Sequence, residues 1–162
     1  MGSTKKPRKK YKPGRVLRNP VGYVLESMEP VTKHSGFLTD LRIVNSAAMT
    51  SLMQGTAKML DVDRLVAMSN ITEALQHLGF GVEYRDAAQD GRQALYNIVQ
   101  RAGKIKRFTP TGLEIKQLNM LMELHDAQLD VITVRDMELA IEYVEKQRPV
   151  STRLPTVPEH LK

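Results

Sequence analysis

Four side chains on one predicted helix could hold a cation. Asn119, Glu123, Asp126 and Asp130 are three or four residues apart, which places them on one narrow stripe of an α-helix. Carboxylate and amide oxygens suit a divalent metal ion, but one helix face alone rarely completes a metal site. Like charges at these spacings repel one another, so we expect an answering cation from Lys116, the basic N-terminus or a partner. We predict a solvated acidic face here and no metal ligand.

Two histidines are placed where they could act in acid–base catalysis. His125 lies on the apolar side of the same helix, where it could serve as a ligand or a general base. Glu73 and His77 form an i,i+4 pair on the polar face of another predicted helix, and a carboxylate can orient an imidazole. The sequence places no nucleophile beside either histidine. We therefore predict a buried His125 with one polar hydrogen-bond partner, a surface Glu73–His77 pair, no catalytic residue and no cofactor; an enzyme is the third hypothesis.

Positive charge is concentrated in the N-terminal segment, residues 1–18. It carries eight positive charges and no negative one, whereas the whole chain has a formal net charge of +6, so the remainder sums to −2. Such cations can neutralise phosphates and release counterions, which gives salt-sensitive binding without sequence preference. The other interpretation is a solubilising tail. We predict phosphate contacts from Lys5, Lys6, Arg8, Lys9, Lys10, Lys12, Arg15 and Arg18.

A second basic cluster lies between the fourth and fifth predicted helices. Arg101, Lys104, Lys106 and Arg107 fall within seven residues and are followed by the aromatic Phe108. This pattern is typical of a loop that docks on nucleic acid, and we predict secondary phosphate contacts from the four cations. Alternatively, Arg101 and Lys104 complement the dipole at the C-terminus of the fourth helix.

Composition limits the classes of protein that the chain can belong to. With 162 residues, 41% of them hydrophobic, it has the size and core of one domain. The absence of cysteine excludes disulfides, thiolate metal sites and cysteine nucleophiles. The N-terminal charges are not followed by the apolar run of a signal peptide, and no apolar stretch is long enough to cross a membrane. We expect a cytoplasmic protein.

The apolar residues between the two tails recur with helical spacing. They predict an all-α fold, a compact bundle of five or six helices over residues 19–148, with a disordered basic arm at 1–18 and a flexible Pro-containing tail at 149–162. The predicted helices run from 20 to 30, 38 to 55, 61 to 79, 82 to 102, 111 to 131 and 134 to 147.

Local signals predict where several helices begin and end. Thr109 followed by Pro110 reads as an N-cap with proline at the first position, and Asp61 reads as the cap of the third helix. Thr133 with Asp136 resembles a capping box for the sixth helix. Gly103 is predicted to end the fourth helix.

Burial on three helices can also be predicted from side-chain type. Small residues on the fourth helix indicate that another backbone approaches it closely: Ala87, Ala88, Gly91 and Ala94. The third helix is predicted to bury a stripe that includes Ala67 and Leu78. The sixth is predicted to bury a stripe that includes Ile141, with Leu139 and Tyr143 on its other side.

Together these patterns favour a non-enzymatic nucleic-acid-associated protein that binds the phosphate backbone of DNA or RNA without sequence specificity. The alternative is a protein–protein interaction module, an adaptor, inhibitor or regulator. It is motivated by the acidic stripe and by Leu139 and Tyr143, which could contact a partner. The two apolar patches of the sixth helix favour a homodimer.

Overall fold

The computed structural model describes residues 20–147, and their side chains from Val24 onward. Six α-helices and two 3₁₀ turns form within this range. No strand forms among these residues, and an isolated antiparallel bridge pairs Pro30 with Thr133. The all-α class predicted from the sequence is confirmed. The helices are α1 Pro20–Ser27, α2 Ser35–Met53, α3 Met59–His77, α4 Arg85–Ile105, α5 Gly112–Val131 and α6 Val134–Lys146, with 3₁₀ turns at Val31–Lys33 and Val82–Tyr84.

Capping side chains fix the starts of the last two helices. The Thr133 hydroxyl accepts a hydrogen bond from the Asp136 amide, and the Asp136 carboxylate accepts one from the Thr133 amide, which confirms the predicted capping box. The cap of α5 is Thr111, paired with Glu114 in the same way, and the prediction of a cap at Thr109 is wrong. Thr111 rather than Thr109 is the cap because a capping box needs its acid three residues after the cap, and Glu114 lies three residues after Thr111.

The predictions for the ends of α3 and α4 also need correction. Asp61 is the third residue of α3 rather than its cap, and its carboxylate accepts a hydrogen bond from the Lys58 amide at 2.9 Å. Helix α4 continues past Gly103 to Ile105 and ends where Lys106 adopts a left-handed conformation with φ of 58°. Gly103 does not have a positive φ, so it continues the helix as part of its last turns.

The first hydrophobic cluster joins α2, α3, α4 and α5. The small-residue face of α4 lies at its centre, as predicted. A Cβ atom on Gly91 would lie 2.7 Å from Leu121 Cβ and 3.1 Å from the Gln117 carbonyl oxygen. Only glycine therefore allows α4 and α5 to approach this closely. Phe108 is 5% exposed and belongs to this cluster, so it is a core residue.

The second hydrophobic cluster lies at the other end of the bundle, where the Val31–Lys33 turn, α2, α3, α5 and α6 meet. Met137, Ala140 and Val144 of the predicted α6 stripe pack in this cluster, as predicted. The prediction is wrong at Ile141, which is 43% exposed, and Tyr143 packs against the cluster instead. Ala67 and Leu78 of α3 are likewise exposed instead of buried. Helix α3 packs against α2, α4, α5 and α6, and it shares the central position with α5.

The described helices do not span membranes. Within residues 20–147, none combines the length and the apolar character that crossing a bilayer requires.

Candidate functional site

The cations predicted to bind phosphate divide between two parts of the chain. The eight on segment 1–18 lie outside the described residues. The other four lie within residues 101–111, called the α4–α5 loop below, which comprise the end of α4 and the connection to the cap of α5. Arg101 and Lys104 are on the last turns of α4, and Lys106 and Arg107 follow the helix. Lys104 and Lys106 are both exposed there, and neither pairs with an acid among residues 24–147.

Arg101 is bound to the start of α5. Its guanidinium donates to both carboxylate oxygens of Glu114, at 2.5 and 3.0 Å, and to the Thr109 carbonyl oxygen at 2.6 Å. The Glu114 side chain is only 7% exposed. Burial alone would raise the pKa of Glu114, but hydrogen bonds from Arg101 and Thr111 and the charge of Arg101 outweigh it and lower this pKa. The hydrogen bond to Glu114 contributes most to a raised pKa of Arg101. Arg101 therefore holds the loop in place.

Arg107 is anchored across the loop to the connection between α2 and α3. Its Nε atom donates to the Gly55 carbonyl oxygen at 2.9 Å, and Gly55 has a φ of 67°. A Cβ atom on Gly55 would lie 3.0 Å from the Arg107 guanidinium, so glycine makes room for it. Because Arg107 itself is exposed, its remaining N–H groups can still reach solvent. Phe108 is buried beside it and is not available to stack on a base.

Two carboxylates of the acidic stripe of α5 pair with an arginine that the sequence did not indicate. Arg42 of α2 donates to Asp130 Oδ1 at 2.6 Å, to Asp126 Oδ1 at 3.4 Å and to the Asp126 carbonyl oxygen at 3.3 Å. The hydrogen bond to Asp130 contributes most to a raised pKa of Arg42. The two remaining members of the stripe, Asn119 and Glu123, are exposed. Among residues 24–147, no group of three or more His, Asp or Glu side chains is placed to hold a metal ion.

His125 is buried on α5, with one polar partner as predicted. Its Nδ1 atom lies 3.1 Å from the Thr72 hydroxyl. Since that hydroxyl donates to the Met68 carbonyl oxygen, it accepts from Nδ1–H, and Nε2 is left as an unprotonated acceptor. Burial, with a smaller contribution from the charge of Arg42, lowers the pKa of His125 to about 4. Nε2 has no hydrogen-bond partner among the described residues, and a side chain 2% exposed cannot reach a substrate.

Glu73 and His77 do not act as a pair. Glu73 binds Arg92 of α4, whereas the His77 ring packs against the Tyr143 ring with centroids 4.8 Å apart. Both residues line a cavity of about 600 Å³ between α3 and α4. Burial lowers the pKa of Arg92, whose side chain is 23% exposed. This cavity could not be predicted from the sequence because its two walls are contributed by different helices.

Comparisons with known proteins identify no relative of this chain. No family model matches it, and neither do the curated proteins or the solved structures. Any function must therefore be argued from the chain's own residues.

Proposed function

We propose that this protein is a non-enzymatic nucleic-acid-associated protein whose N-terminal arm, residues 1–18, binds the phosphate backbone. The observation that carries the proposal is the separation of charge. Residues 20–147 contain 13 Lys and Arg against 17 Asp and Glu, a formal net charge of −4, whereas the arm has eight cations and no acid. A polyanion is repelled by the body and attracted by the arm, so the arm must supply the affinity.

The α4–α5 loop supplies the secondary contacts in this proposal. Lys104, Lys106 and Arg107 are exposed, and the two lysines have no acidic partner among the described residues. Arg101 positions the loop through Glu114 and contributes less to binding. With Phe108 buried, the loop offers charge without base stacking, which favours binding without sequence preference to DNA or RNA.

The arm and the loop can reach one nucleic acid. The connection that follows helix α1 is tied to the junction between α5 and α6, since Val31 N donates to Ile132 O and Val134 N donates to Glu29 O. The loop lies at the other end of α5, about 30 Å away for a helix of 20 residues. A segment of 18 residues spans at most about 60 Å, so it can bridge this distance.

Fluorescence anisotropy with a labelled 20-base-pair duplex tests the proposal. We expect a variant with all eight arm cations replaced by Gln to lose nearly all binding at low salt, because the counterion-release contribution disappears. Lys104→Gln with Lys106→Gln should cause a smaller loss. Lys33→Gln with Lys146→Gln is the matched control, since both lysines are exposed but pair with Glu29 and Glu142 within the body. Unchanged affinity in the arm variant contradicts the proposal.

The alternative function, a protein–protein interaction module, has less support. Arg42 already neutralises part of the acidic stripe, and Tyr143 is engaged with the second hydrophobic cluster and with His77. If the arm variant keeps a stoichiometric protein partner while the full chain fails to bind the duplex, the alternative replaces our proposal. A homodimer stays a prediction.

A further inference from the structure

The cavity between α3 and α4 has the size and chemistry of a ligand site. Its volume of about 600 Å³ falls within the range of roughly 300–1,000 Å³ that is usual for small-molecule pockets. Two facing stripes form its walls, one on each helix. The lining residues used below are Ser69, Glu73 and Gln76 of α3 and Arg85, Arg92 and Tyr96 of α4.

The charge of the lining is opposite to that of the body. Arg85 and Arg92 outnumber Glu73, which gives the lining a formal charge of +1 within a body of −4. Arg85 is exposed and has no acidic partner among the described residues. One guanidinium nitrogen of Arg92 binds Glu73, whose side chain is 43% exposed, so an anion can compete with Glu73 for that nitrogen.

The first turn of α4 adds to the positive potential at one end of the cavity. The helix begins at Arg85, and no side chain caps its first turn. The partial positive charge of the helix dipole lies at this end of α4, and Asp86, the acidic residue of the same turn, is not among the residues that line the cavity. An arginine fork next to a helix N-terminus is suited to a phosphate or carboxylate group, which it can bind through two parallel hydrogen bonds.

The rest of the lining is suited to a polar planar group. Ser69 and Gln76 are 3% and 5% exposed and form the buried side of the cavity. Gln76 Nε2 donates to the Gly81 carbonyl oxygen at 3.0 Å, so its amide oxygen is left to accept a hydrogen bond from a ligand. The Tyr96 ring, 41% exposed, offers a flat surface on which a planar group can stack.

We propose that this cavity binds a small planar molecule that carries an anionic group, of the chemical class of a nucleoside monophosphate. Arg85 and Arg92 hold the anionic group, Tyr96 stacks on the planar ring, and Ser69 and Gln76 hydrogen-bond to its polar edge. The site is separate from the arm and from Lys104 and Lys106, and it does not depend on the proposed binding of nucleic acid.

Titration of the full chain with AMP, followed by ¹H–¹⁵N correlation spectra in 150 mM NaCl, tests this proposal. We expect saturable shifts of the amides of Arg85 and of Gln89 and Gln93, two further α4 residues that line the cavity. Arg85→Gln should weaken AMP about tenfold or more, the usual value of a charge-assisted hydrogen bond. Arg64→Gln is the matched control, since Arg64 lies on α3 outside the cavity and pairs with Asp61; it should leave AMP binding unchanged.

Two simpler ligands separate the anionic and planar parts of the proposal. Inorganic phosphate should bind more weakly than AMP and should be insensitive to Tyr96→Leu, which should weaken AMP. Adenosine, which lacks the anion, should also bind more weakly than AMP. Shifts confined to the arm, to Lys104 or to Lys106 overturn the proposal, and so do equal affinities of AMP and phosphate, equal affinities of AMP and adenosine, or unchanged binding in Arg85→Gln.

Discussion

The two ends of α5 each carry an acid–arginine contact, and the contacts differ in burial. At the N-terminal end, Arg101 binds both oxygens of Glu114, whose side chain is 7% exposed. At the C-terminal end, Arg42 binds Asp126 and Asp130, which are 45% and 58% exposed. We therefore expect the two contacts to contribute unequally to stability. A buried carboxylate depends on its partner, whereas exposed carboxylates have water as an alternative.

This difference also determines which cations remain for a partner. The buried contact uses Arg101 to fix the α4–α5 loop, and it leaves Lys104 and Lys106 exposed at that end. The exposed contact cancels part of the acidic stripe at the other end. Both surfaces are therefore less charged than a count of their residues indicates, but only the loop keeps a positive surface.

The largest effect is expected when the arginine that pairs with the buried carboxylate is removed. Arg101→Ala leaves the Glu114 carboxylate without its main partner, and we expect a loss of about 3 kcal/mol in the free energy of unfolding. Urea unfolding followed by circular dichroism measures it. Lys104→Ala, one turn away without an acidic partner among the described residues, is the control and should change stability by no more than about 0.5 kcal/mol. Equal effects of the two variants contradict a structural role for Arg101.

Titratable groups at the two ends of α5 should lose their contributions to stability in different pH ranges. His125 lies toward the C-terminal end, and burial lowers its pKa to about 4 from an ordinary value of 6.5. The unfolded chain binds the proton first, so stability falls as pH drops from about 6.5 toward 4, by about 2 kcal/mol at pH 5. His125→Gln should abolish this dependence in urea titrations at pH 7.5 and pH 5. A wild-type chain equally stable at both pH values contradicts a buried neutral His125.

Glu114 should act in a lower pH window. Its pKa is lowered in the folded chain, so its contribution is present above the unfolded value of about 4.5 and is lost only as pH falls through the folded value.

A smaller effect is expected where α4 crosses α5 between the two ends. Gly91→Ala forces a Cβ atom to within 2.7 Å of Leu121 Cβ, and we expect a net loss of about 1 kcal/mol after the gain in helix propensity. Gly103→Ala on the same helix meets no atom within 4 Å and should stabilise by about 0.5–1 kcal/mol. Thermal unfolding of the two variants should therefore shift in opposite directions. A stabilised Gly91→Ala contradicts the close approach of the two helices.

The smallest effect is expected at the exposed contact. Arg42→Ala should cost about 0.5 kcal/mol at low salt, and the difference from wild type should nearly vanish in 1 M NaCl because salt screens exposed charges. Urea unfolding at both salt concentrations measures it. A loss as large as that in Arg101→Ala removes the distinction between the two ends.

Features set by neighbouring residues could be predicted from the sequence. The Thr133–Asp136 capping box and the small face of α4 depend on spacing within one helix, and both are confirmed. The helical periodicity also sufficed for the fold class. The predicted cap of α5 is two residues early because Thr109 and Pro110 form a strong local signal, whereas the observed cap, Thr111, is set by Glu114 three residues after it.

Features set by distant residues could not be predicted. Arg42 lies 84 and 88 residues before the two aspartates that it binds, and no periodicity relates them. Phe108 follows four cations in sequence, but the loop turns it into the first hydrophobic cluster. Burial of Tyr143 rather than Ile141 depends on how α6 is rotated about its axis against α3. The sequence does not determine this rotation because α6 has apolar residues on two sides.

The salt dependence of duplex binding tests the central claim, that the arm supplies the affinity. For the full chain, log Kd plotted against log salt concentration should rise with a slope of about 7 if all eight arm cations contact phosphates. Lys104→Gln with Lys106→Gln should lower the slope by at most about 2. Replacement of the eight arm cations by Gln should leave a slope near that of the loop alone. A slope unchanged by the arm replacement contradicts the account.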